Sequence, residues 1–421
     1  MDVGSILIIL PVLIIFSYLF DILAIRTKFP SVILLVLTGI IARFISSSYG
    51  FDNFEFLDTL VPVLGTIGLI LIVLEAALEL DIKKEKIQII TKGFMAALII
   101  LLINIVLVSI FFEKVIGLPN PTSVIYAIPL SIISSAVAIP SASGLINKNK
   151  EFVVYESTFS DILGIMIFYY SIRQVEKGEA LIGLEPILTL VGQIVLIIIL
   201  SLAITYLLFQ LIQRIEHHVK FFLILALLIL SYEIGKDILK LPSLVLIFIF
   251  GIFLGNFSNL IPERFKKYVK TDKVGKEDLH EFNLLTAEST FLVRTFFFLF
   301  FGFSIPLESF IETEPYIIGA TVLLIMYGVR YFYLAFTDKD EESKPLLYFS
   351  PRGLITILLF LSIADYDIEK SSTIDENVLL VVIIASMLIM IQGSITRKSK
   401  RVKDKDLGEQ SLSEIVDEQI D

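Results

Sequence analysis

Thirteen runs of this chain, at 5–20, 29–45, 60–78, 89–112, 122–146, 152–172, 186–212, 219–234, 242–257, 288–306, 315–336, 346–364 and 377–396, are apolar over the length of a bilayer crossing. A crossing helix needs about 20 mostly apolar residues. In hydrocarbon every backbone N–H and C=O must find its partner inside the protein. The fold class expected is therefore all-α and polytopic. Composition agrees: 56% of residues are hydrophobic, 19% are charged, and the mean hydropathy is +0.86. The net charge of -10 gathers in short loops and the C-terminal tail, and no nucleic-acid surface is implied. The absence of cysteine excludes disulfides, thiolate metal sites and a cysteine nucleophile.

With the N-terminus outside and the runs alternating, Lys and Arg crowd onto one side. Arg26, Lys28, Lys83, Lys84, Lys86, Lys92, Lys148 and Lys150 fall inside, as do the six basic residues of 264–276 and the six of 397–405. That excess sets orientation, so the C-terminus is expected in the cytoplasm of a bacterial-type cell, with the chain in its plasma (inner) membrane. The start, MDVGSILIIL, opens on an acid without Lys or Arg, which reads as a retained first helix rather than a cleaved leader.

An internal repeat runs through the chain. Pro30-Ser31 is followed by Gly39-Ile40, and Pro242-Ser243 by Gly251-Ile252, at the same spacing. PSASGLI from Pro140 and PRGLI from Pro351 form a second pair. Both pairs run in opposed directions across the membrane, which favours inverted repeats of runs 1–6 and 8–13 joined by the seventh. Proline removes a backbone donor and clashes with the preceding turn. With Gly144 and Gly353 nearby, two helices are expected to break, around Pro140 and around Pro351-Arg352-Gly353. Freed backbone groups at such breaks, and the hydroxyls of Ser134, Ser135, Ser141 and Ser143, are suited to a small ion or to close helix packing.

The run YESTFSDILGIMIFYY, residues 155–170, carries Glu156 and Asp161 through an otherwise apolar crossing. An acid there costs roughly 3 kcal/mol, which marks it as functional by default. The two lie about 7.5 Å apart along a helix axis. Arg330, in LIMYGVRYFYLAF, sits at a similar depth to Glu156, so depth permits an ion pair; Arg294 is the rival partner. Arg294 and Arg352 both lie near the ends of their runs, where long basic side chains also snorkel to the interface. Asp161, beside Ser160 and with no basic residue in its own run, is left as the titrating group. A proton and a cation competing for one carboxylate are sufficient for exchange.

These residues resemble a family. ESTFSD is similar to the ESxxND element of sodium/proton antiporters of the cation:proton antiporter superfamily, NhaP-like members included, with Ser160 at the Asn position. LEAALELD, FFGFSI, VRYF and SPRGL resemble further elements of that superfamily, in the same order and to about Thr396. The resemblance implies a homodimeric elevator antiporter. Its transmembrane domain would span 1–396, with core helices at 89–172 and 315–396, a dimerisation scaffold at 5–80 and 186–306, and a short cytoplasmic tail at 397–421. It implies Asp161 as the cation and proton carboxylate, Glu156 and Arg330 as a structural ion pair, and Ser157 and Ser160 as supporting oxygens; the broken helix itself adds Ser135, Ala138 and Ser141 as expected cation- and proton-binding positions. One departure stands out: sodium/proton members carry Thr-Asp-Pro where this chain has Ala138-Ile139-Pro140. The second coordinating acid is missing, and SSAVAIP is similar to potassium-type relatives.

The expected activity is exchange of Na+, or next K+, for H+, electroneutral because a single carboxylate exchanges one cation per proton, with membrane lipids as surroundings and no cofactor. An enzyme is not expected: an intramembrane aspartyl protease needs two facing aspartates, and only Asp161 lies deep. A sodium-coupled symporter or a channel-like K+ efflux protein on the same repeat plan is the alternative.

Overall fold

The computed structural model describes residues 11–12, 14–20, 22–23, 31–48, 56–178, 184–214, 220–235, 243–256, 276–305, 312–338, 340–366 and 374–393. The start of the 5–20 run, the basic residues before Lys276, the Ser143 side chain and residues 397–421 lie outside the described residues. The described residues form helices α1 (Ser31–Ser48), α2 (Phe56–Glu79), α3 (Ile87–Phe111), α4 (Asn120–Ser131), α5 (Ser135–Ser141), α6 (Asn147–Glu176), α7 (Leu184–Arg214), α8 (Lys220–Glu233), α9 (Leu244–Gly255), α10 (Lys276–Ser304), α11 (Glu314–Thr337), α12 (Leu354–Ser362) and α13 (Glu376–Gly393), with no strand among them. A 3-10 helix, Glu341–Tyr348, precedes α12.

Among the described residues, eight helical stretches are long and apolar enough to cross a membrane, and shorter apolar helices lie at Val195–Leu208, Phe221–Glu233 and Leu244–Gly255. Each run from 29–45 onward corresponds to one helix or to a broken pair. The run at 288–306 marks only the apolar part of α10, which starts at Lys276; its charged first turns extend the helix beyond the apolar segment.

The helices pack in two groups. In one, α1 and α2 lie on α10, and α9 lies on α2 and α7; in the other, α3 lies on α4, α6 and α11, α5 on α6, and α12 on α4. Between the groups α2 touches α6 and α12, and α9 touches α6.

The repeat is visible in these contacts. In the first copy Gly39 of α1 faces the backbone of α10 at Leu299 and Phe303; in the second, Gly251 of α9 faces Leu74 and Ala77 of α2. Matched glycines thus make matched helix crossings, with the roles of the two copies exchanged. Small residues at such crossings let backbones approach closely, the usual source of helix association in lipid. A Cβ at Gly39 would run into the Leu299 carbonyl oxygen. Gly39→Ala is therefore expected to lower stability by about 1–3 kcal/mol through overpacking, seen as a lower melting temperature in detergent. Gly192→Ala, where a Cβ meets nothing within 4 Å, is the neutral control.

Both breaks exist, but the first is not at Pro140. The chain leaves α4 at Ser131 and is extended at Ile132 (φ -75, ψ 133) and Ser134 (φ -78, ψ 117). Pro140 sits inside α5 and Gly144 ends the 3-10 turn after it. The reason is tertiary. Ile132 packs into the notch that Gly164 leaves on α6, and the N–H groups of Ile133, Ser134 and Ser135 find partners outside α4 and α5. Near the end of a seven-residue helix, Pro140 forgoes only one backbone bond. The second break does contain Pro351, Arg352 and Gly353, which separate the 3-10 helix from α12. Pro140 and Pro351 are thus not equivalent points of the two repeats.

Candidate functional site

The two breaks are bonded to each other, and the first is stitched to α6. Ser134 N–H donates to the Pro351 carbonyl (2.9 Å), Ile133 N–H to Ser160 Oγ (3.0 Å), and Ser135 N–H to Asp161 Oδ2 (3.1 Å). Three consecutive donors that a continuous helix would have used internally are thus satisfied. Asp161 is buried, 2% exposed, with its second oxygen, Oδ1, making no hydrogen bond. Ser134 Oγ in the break, Thr158 Oγ1 one turn before Asp161 and Thr356 Oγ1 in the first turn of α12 are likewise buried without hydrogen bonds.

The carbonyl side of the first break is held by Arg352. It is 0% exposed, which rules out snorkelling. Its Nε donates to the Leu130 carbonyl (2.7 Å), Nη2 to that of Ser131 (3.3 Å), and Nη1 to Ser350 at both carbonyl (2.6 Å) and hydroxyl (2.7 Å). Its own N–H donates to Ser386 Oγ of α13 (3.0 Å). A cation thus sits on the last carbonyls of α4, the negative end of that half-helix. Arg352→Ala would leave several buried acceptors unpaired at about 1–3 kcal/mol each. Its expected outcome is a large loss of thermal stability, and Arg352→Lys, lacking the fork, recovers only part of it.

Glu156 and Arg330 are brought together. Nη1 donates to Oε1 at 2.6 Å and Nη2 to Oε2 at 2.8 Å, with the two side chains 1% and 0% exposed. Nε donates to the Leu346 carbonyl at 2.8 Å, completing the guanidinium's fork-to-fork geometry. Arg294, the rival, interacts instead with Glu75 of α2.

Other residues singled out from the sequence turn elsewhere. Ser157 Oγ donates back to the Val153 carbonyl (2.7 Å) and Ser141 Oγ to that of Val137 (2.8 Å). The Ala138 carbonyl accepts from Ala142 within its own turn, whereas the Ser135 hydroxyl lies beside the Asp161 carboxyl. Sequence reasoning passed over Thr158, Thr356 and Ser386. The first was within reach, since a residue three positions before Asp161 shares its helix face.

At one mouth of the molecule the groups of helices are tied together. Lys86 bridges Asp81, after α2, and Glu151 of α6 at 3.2 and 2.9 Å, and Tyr155 Oη donates to the Asp81 carbonyl (2.9 Å). The ammonium groups of Lys83 and Lys86 hold the Asp81 carboxyl below the usual carboxylate range.

A family model described as "Sodium/hydrogen exchanger, transmembrane" matches residues 12–398. Among solved structures, the chain is similar to the sodium proton antiporter MjNhaP1 of Methanocaldococcus jannaschii at pH 8, with 21% identity, TM-score 0.69, and 95% of this chain and 100% of that chain covered. An electron-microscopy map of the same antiporter matches at 20% identity and TM-score 0.67, covering 96% of this chain and 97% of that one. No curated protein matches.

Proposed function

We propose, from the premise that this chain belongs to the sodium/hydrogen exchanger family of membrane cation/proton antiporters, that Asp161 is the carboxylate at which cation and proton alternate. The observation that carries this is its setting: buried against the first broken segment, one oxygen held by Ser135 N–H and the other without a hydrogen bond, with unpartnered hydroxyls on Ser134 in the break, Thr158 one turn earlier on α6 and Thr356 in the first turn of α12. A cation arriving at Asp161 replaces a proton there, because one carboxylate offers one negative charge. Ser160 and Ser135 hold the first break against α6, while Ser157, Ala138 and Ser141 shape the helices around it. Glu156, neutralised by Arg330, takes no part in the count.

One cation then exchanges for one proton, so transport is electroneutral. Sodium is the first choice and potassium the second. The absence of an acid at Ala138-Ile139-Pro140 favours a loosely held ion over a tightly bound one. The division of the helices supports an elevator movement: α3–α6 and α11–α13 carry the site, while α1, α2 and α7–α10 form the scaffold and, in a homodimer, the subunit contact. The few contacts between the groups, and the Lys86 bridge, are what such a movement must break. We place the protein in a bacterial plasma membrane with its N-terminus outside and its C-terminus in the cytoplasm.

Purified protein in liposomes with an imposed pH gradient and a pH-sensitive dye tests this. Adding sodium is expected to dissipate the gradient, with potassium weaker, at a rate that clamping the membrane potential leaves unchanged. A rate that tracks the potential would overturn the one-for-one exchange.

A further inference from the structure

A cavity of about 420 Å³ lies between the ends of α3, α6 and α11, and none of its lining residues belongs to the Asp161 site. Its wall is apolar: Ile89 and Met95 from α3, Phe152 from α6, Tyr333 and Leu334 from α11, and Leu346 from the 3-10 helix. Its charged lining is Lys92, Lys148 and Asp338, two amines against one carboxylate. Lys92 is exposed and makes no ion pair among the described residues. Lys148 meets Asp340 at 3.2 Å, both side chains more than half exposed, a pairing that water and salt weaken. The helix surfaces flanking the cavity are apolar and bare: Ile87 is 56% exposed, Phe332 62% and Phe336 81%. On membrane-crossing helices those surfaces face lipid, and the lysines sit at the helix ends, where headgroups lie.

We propose that this cavity binds a phospholipid with an anionic headgroup, the phosphate against Lys92 and Lys148 and the start of an acyl chain along Met95, Phe152 and Leu346. Its size suits a ligand part-buried in a preformed pocket. On the orientation proposed above the lipid belongs to the cytoplasmic leaflet, although binding itself does not depend on that. The site adjoins the buried ion pair. The Leu346 carbonyl accepts from Arg330 Nε, and Asn149, also lining the cavity, donates to the Glu342 carbonyl at 2.7 Å. A bound lipid therefore steadies the segment that positions Arg330 against Glu156, and the protein gains stability by mass action.

The full chain, purified and stripped of lipid in detergent, is titrated with phosphatidylglycerol, phosphatidylcholine or inorganic phosphate while melting temperature and lipid retained in native mass spectrometry are followed. Phosphatidylglycerol is expected to raise the melting temperature and remain bound, phosphatidylcholine to do markedly less, and inorganic phosphate to do nothing. Lys92→Ala with Lys148→Ala is expected to weaken phosphatidylglycerol binding roughly thirtyfold, from the usual contribution of a basic residue at an anionic surface. Met95→Trp, which fills the cavity from an exposed position, abolishes retention even where the lysines remain. Unchanged affinity in the double variant, equal stabilisation by phosphatidylcholine, or stabilisation by phosphate alone would each overturn the proposal. Lipid retention is read without an ion gradient, so its failure leaves the exchange reading intact.

Discussion

Glu156→Ala is expected to lower the stability of the protein by about 3–5 kcal/mol, the usual consequence of removing one partner from a buried ion pair. The attraction itself is not the source of that number. Arg330 is 0% exposed and its guanidinium is committed to Glu156 and to the Leu346 carbonyl. Without the carboxylate, a full positive charge stays buried with two donors unpaired. Arg330→Ala mirrors the effect and leaves a buried carboxylate. Replacing both by apolar residues of similar volume should recover much of the loss, because neither charge is then stranded. Thermal unfolding in detergent measures all three. An alanine variant that melts with the parent protein would mean that the pair contributes nothing and that Glu156 is free for other work.

The long-range plan could be read from the residues because it rests on local quantities. Apolar run length placed the helices from α1 to α13, and the spacing of Pro-Ser to Gly-Ile exposed the repeat whose glycines make the matched crossings of α1 with α10 and α9 with α2. What eluded the sequence depends on which helices are neighbours. Axial depth left Arg330 and Arg294 equally able to reach Glu156, because depth carries no information about lateral packing; the structure puts α11 beside α3 and sets Arg294 near Glu75 instead. Proline, the strongest local punctuator, points to Pro140 as the first break. The chain opens at Ile132–Ser134, where Ser160, Asp161 and Pro351 supply partners that a local reading cannot see. Arg352 is the sharpest case: near a helix end in sequence, it lies in a dry interior lined by carbonyls, where its charge is used rather than exposed.

The same comparison narrows the role of the serines. A hydroxyl that donates to a carbonyl keeps its lone pairs for an ion, whereas one that accepts an N–H has given one of them up. Ser157 and Ser141 are bonded to their own helices and Ser160 to the break, whereas Thr158 and Thr356 are free of such bonds.

Everything in this account converges on Asp161, so the decisive measurement is cation-driven proton movement by Asp161→Asn in liposomes. Asparagine keeps the shape of the side chain, and its amide oxygen still accepts from Ser135 N–H, so the first break should stay held to α6 and the melting temperature stay close to that of the parent. What it loses is the charge that a proton or a cation neutralises. The predicted result is a folded protein whose exchange with sodium, lithium or potassium falls to the rate of empty liposomes. Exchange at the parent rate by Asp161→Asn would contradict the account.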